Sequence, residues 1–81
     1  MDKNASSKVI GQLRKSIQDR HAEIVAQNEI IARMELSGQD AREARAIRAQ
    51  LWLSQETDRA EIERLEDINK QEAQRQRGSA E

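Results

Sequence analysis

The sequence predicts an all-α fold, an antiparallel two-helix coiled-coil hairpin that dimerises into a four-helix bundle. Three observations carry this. Isoleucine recurs every seventh residue at Ile10, Ile17, Ile24 and Ile31. One strong turn signal, Ser37-Gly38-Gln39-Asp40, interrupts the chain near its middle, and Pro is absent. The 81 residues are 36% charged, with a single aromatic residue, Trp52, too little bulk for a thick globular core and well suited to long helices.

The first helix is expected over about residues 7–36, with Ser6 or Ser7 as N-cap. Its isoleucines form heptad position a, and Leu13, Arg20, Gln27 and Met34 form position d. A seven-residue repeat without period-two alternation favours a helix over a strand and implies left-handed supercoiling. The turn spans 37–40. Gly38 takes the left-handed conformation that ends a helix, and Asp40 caps the next, with Glu43 completing a capping box. The second helix is expected over about 41–75, with Ala44, Leu51, Asp58 and Leu65 at a, and Ile47, Ser54, Glu61 and Ile68 at d. Residues 76–81, devoid of large apolar side chains, form a flexible tail, so 1–81 reads as a single hairpin.

Antiparallel partners have residue numbers with a constant sum. Pairing Ile31 with Ile47 sets that sum at 78, which also opposes Leu13 to Leu65, Ile10 to Ile68 and Arg20 to Asp58. Two seam residues of opposite charge thus meet in the register that aligns the apolar ends. Arg20 and Asp58 are read as a register pair, since slipping one turn would set each charge against an apolar residue.

One narrow seam leaves a lone hairpin marginally stable, so association is expected. Beside the seam lie Ala26, Ile30, Ala46, Leu53 and Ala60 on one side, and Val25, Trp52 and Ile62 on the other. These are the candidate self-association or partner-binding residues. Small alanines beside Ile30 and Leu53 let another helix approach closely, and two hairpins closing into four helices is the simplest solution.

Chemistry is sparse. Without Cys there is neither a disulfide nor a thiolate site. His21 is the only histidine, and the positions three residues either side, Gln18 and Ile24, supply no carboxylate for a helix-bundle metal site. No nucleophile motif or Gly-rich phosphate loop is present, and a slim hairpin offers no cleft to tune a carboxylate. No catalytic, cofactor or metal residue is therefore assigned, and no small-molecule substrate is expected. The amino terminus has no apolar run, and no stretch reaches membrane-spanning length, so a cytoplasmic protein without a membrane contact is expected.

Fourteen Lys and Arg against 15 Asp and Glu give a net charge of -1, which argues against nucleic acid as the partner. The alternative is a small RNA-binding regulator using Arg45, Arg48 and Arg59 beside Trp52. A further alternative is an accessory hairpin recruited by a larger protein.

The run from Gln27 through Ile30-Ile31-Ala32-Arg33, Glu35 and Gly38-Gln39-Asp40 to Ala44-Arg45 resembles a group of small bacterial proteins. Their pattern is an Ile-Ala-Arg stretch, a Glu, then Gly-x-Asp before a second amphipathic helix. The resemblance covers roughly the middle half of the chain and implies a helical hairpin, with no activity attached. The second helix here lacks the histidines often seen in that group.

Overall fold

A computed structural model describes residues 3–79, with side-chain environments over 6–75. Two helices, α1 (Lys3–Leu36) and α2 (Arg42–Ser79), lie side by side in a rod of 68 × 15 × 14 Å, and no strand occurs among the described residues. Both helices outrun expectation. α1 continues through Ser6 and Ser7, and Ser6 is buried inside the helix instead of capping it. α2 carries through residues 76–79, which were expected to fray. Nothing there prevents a helix, because an interior Gly such as Gly78 costs only about 1 kcal/mol. Residues 80–81 of the expected tail lie outside the described residues.

The reversal forms as its residues dictate. Gln39 N–H donates to Met34 C=O at 2.8 Å and Gly38 N–H to Glu35 C=O at 3.2 Å, the paired bonds of a Schellman ending. Gly38 sits at φ 72°, a conformation that costs any residue with a Cβ. α2 then starts at Arg42, and the Ala41 carbonyl accepts from Arg45 N–H at 2.9 Å. Ala41 thus takes the cap position expected of Asp40, which lies one residue before it. The Asp40 carboxylate accepts from the Arg42 N–H at 3.0 Å and from the Arg42 guanidinium, which holds the carboxyl below its ordinary pKa. The expected capping box is not formed: Asp40 engages Arg42, not Glu43, and Glu43 returns no hydrogen bond. Pairing with a neighbouring guanidinium has taken the oxygens that a box would use.

The seam of α1 is as predicted. Ile10, Ile24 and Ile31 are buried, and Leu13, Ile17, Arg20, Gln27 and Met34 are half-buried. The seam of α2 is only half right. Ala44, Leu51, Asp58 and Leu65 do face α1, yet their companions are Arg48, Gln55, Ile62 and Asn69, four residues further on instead of three, with Ala41 heading the same row seven residues before Arg48. Ile47 is left 43% exposed, Ser54 faces solvent, and Ile62 moves from the expected outer flank into the seam. Ile68 is half-buried at the edge.

The register changes accordingly. Ile31, Ala44 and Ala41 form one buried cluster with Met34 against it. Ile31 and Ala44 sum to 75, and the same sum matches Ile24 with Leu51, Leu13 with Ile62, Ile10 with Leu65 and Arg20 with Gln55, each at least half-buried. The expected sum of 78 is corrected by nearly one helical turn. The turn supplies the reason. Ala41 is drawn under Met34 as the chain reverses, and this fixes the face of α2 that follows.

Candidate functional site

At the centre of the seam a polar group replaces apolar packing. Arg20 Nη1 donates to Asp58 Oδ2 at 2.7 Å and to Gln55 Oε1 at 2.9 Å. Gln55, 1% exposed, donates in turn to the Ile17 carbonyl at 3.1 Å. The side chains of Arg20 and Asp58 keep about a fifth of their surface, 21% and 20%. The pair is real, and the corrected register retains it, because Asp58 and Gln55 lie three apart on one face of α2. The sequence reading missed Gln55, which turns an ion pair into a network anchored on backbone. Its signal was present: 41, 48, 55, 62 and 69 are spaced by seven and flank the a positions.

The two flanks of the seam differ. On one, residues whose numbers sum to 80 pair across the helices: Arg14 with Glu66 and Arg45 with Glu35, each at 2.8 Å. Arg48 donates to Asn28 beside them at 2.9 Å. This flank also carries an open groove lined by Asn28, Arg45, Arg48, Ala49, Trp52, Leu53 and Glu56. On the other flank, Ile30 and Ile47 lie at one level, 40% and 43% exposed, with Val9 and Ile68 at a second level nearer the free ends. From Val9 to Ile68 no hydrogen bond or ion pair crosses between the helices on that flank, among the described residues.

Comparison with protein-family models, curated proteins and solved structures returns no match to this chain.

The candidate interaction residues are exposed with one exception. Val25, Ala26, Ile30, Ala46, Trp52, Leu53 and Ala60 all reach solvent, and Ile62 belongs to the seam. They do not form the expected two sides. Ala26 and Ile30 share the uncrossed flank, whereas Leu53 shares the groove with Trp52, and Ala46 and Ala60 follow Leu53 at seven-residue spacing along the outside of α2. The supposed patch of Ile30 with Leu53 is thus divided between opposite flanks. Ile47 takes the place beside Ile30 that Leu53 was expected to hold.

The arginine group of the RNA reading is partly occupied. Arg45 is held by Glu35 and Arg48 by Asn28, while Arg59 has no ion pair among the described residues. No cluster of three potential metal ligands occurs among the described residues, and no described helix is long and apolar enough to cross a membrane.

Proposed function

We propose that this protein is a non-enzymatic interaction module, a helical hairpin that self-associates through apolar residues flanking its seam. One observation carries the reading. Seven large apolar side chains, Val9, Val25, Ile30, Leu36, Ile47, Trp52 and Leu53, are exposed, against four that are buried, Ile10, Ile24, Ile31 and Leu65, beside Ala41 and Ala44. Scattered exposed apolar residues are ordinary on a soluble surface, but here seven lie on a rod only two helices wide, and Ile30 and Ile47 share one level of one flank. A cysteine-free chain suits a reducing cytoplasmic setting.

Association would also supply what the thin seam lacks, since subunit binding stabilises the folded state by mass action. Sedimentation equilibrium over a concentration series tests this. The 9.3 kDa chain is expected to approach twice its monomer mass as concentration rises, with thermal stability rising in parallel. A helical monomer at every concentration, with unchanging stability, would defeat self-association and leave recruitment by a larger protein as the reading to pursue.

A further inference from the structure

We propose that the flank carrying Ile30 and Ile47 is covered by a second copy of this chain lying with its turn at the same end. The inference rests on the self-association reading and specifies its face and orientation.

The choice of flank follows from how each is already used. The Trp52 flank is spanned by Arg14–Glu66, Arg45–Glu35 and Arg48–Asn28. A helix docking there would have to displace or desolvate those charges. The opposite flank has no such crossing and presents Val9, Ile30, Ile47 and Ile68. The two apolar levels lie 21 residues apart along α1, or about 32 Å at 1.5 Å per residue. A partner covering both must be a long rod, which a second copy is. The side measures 68 × 15 Å in outline, enough for the roughly 800 Å² per partner of a standard interface.

Charge selects the orientation. With turns together and a twofold axis along the rod, α1 of each copy lies over α2 of the other at equal height and in the opposite direction. Ile30 then meets Ile47 of the second copy, and Val9 meets Ile68. Glu23 faces Ser54, Asp19 faces Thr57, and Ser16 faces Glu61, so no like charges oppose. Arg33 faces Glu43, and the symmetry makes this contact twice. Both are available: Arg33 has only a 4.0 Å contact to Glu29, and Glu43 has no ion pair among the described residues. With turns at opposite ends, aligning the apolar levels sets Asp19 against its own copy and separates Arg33 from Glu43. Like charges opposed across an interface work against that arrangement.

The test uses the full chain in three steps, with helicity checked by circular dichroism. In sedimentation equilibrium, Ile30→Glu with Ile47→Glu is expected to abolish the dimer, and Trp52→Glu with Leu53→Glu to retain it. Arg33→Glu and Glu43→Arg are each expected to weaken the dimer about tenfold, and the double reversal to restore it. This second series stays informative if the isoleucine variant fails to fold. Spin labels on Gln39→Cys, the chain's only thiol, should then lie close together across the dimer. Labels separated by about the length of the rod would overturn the orientation. A wild-type dimer that survives the isoleucine changes and is lost in the Trp52 and Leu53 variant would overturn the inference while leaving self-association standing. A wild-type monomer at all concentrations would overturn both.

Discussion

Ile24→Ala is expected to destabilise the hairpin by about 2 to 5 kcal/mol, the range for truncating a buried large aliphatic side chain. Ile24 is the least exposed apolar residue of the seam, at 2%, and it sits at the level of Leu51 next to the polar network. Small domains hold total stabilities of only about 5 to 15 kcal/mol, and a two-helix seam stands at the low end. The variant should therefore lose most of its helical signal at room temperature when dilute. Leu53→Ala provides the contrast. That side chain is 62% exposed, and its removal should change stability by no more than about 0.5 kcal/mol. Thermal unfolding followed by circular dichroism measures both, and equal effects of the two changes would mean the buried face has been misplaced.

Asp58→Ala is the second large effect, expected to cost about 1.5 to 3 kcal/mol, the value of a hydrogen bond to a charged group. The loss leaves Arg20 bonded to Gln55 alone in a half-buried position. Truncating one member of such a network strands the other, whereas replacing the charged members together removes the burden. Arg20→Leu with Asp58→Leu is thus expected to recover part of the stability lost by Asp58→Ala, the buried Gln55 Oε1 being left without its donor. If the pair specifies register, the doubly apolar chain should no longer be one species, since Leu at both positions allows the seam to slip by a turn. A more stable variant of unchanged mass with one set of amide resonances would show that the pair has no role in register.

Much of this architecture was legible in the sequence. The isoleucine heptads and the glycine at the reversal rest on local spacing, and the structure bears out both; Arg20 does reach Asp58, but from the level of Gln55 and not from directly opposite. The phase of α2 was harder. Ile47 and Ile68 look like seam residues, and Arg48 and Gln55 look like surface, because hydropathy ranks them so. The long stem of an arginine packs while its head reaches outward, and a glutamine is buried where partners meet it, as Ile17 and Arg20 do for Gln55. Those partners sit on the other helix, so a pattern read along one helix does not include them. The same three-against-four ambiguity misdirected the surface. Moving the seam of α2 by one position carried Ile62 inward and Ile47 outward, and left Ile30 and Leu53 on different flanks. The Asp40–Arg42 pairing that replaced the capping box was similarly invisible, since both arrangements use the same carboxylate.

The most direct measurement is the solvent accessibility of the isoleucine methyl groups, read by relaxation from a soluble paramagnetic agent at low and at high protein concentration. Ile24 is expected to be protected at both concentrations, and Ile30 and Ile47 to be exposed when dilute and protected when concentrated. The Leu53 methyls and the Trp52 ring should stay exposed throughout. Ile47 protected even at high dilution would place it in the seam and contradict the fold as described. Ile30 and Ile47 exposed at every concentration would contradict the self-association that the proposed function rests on.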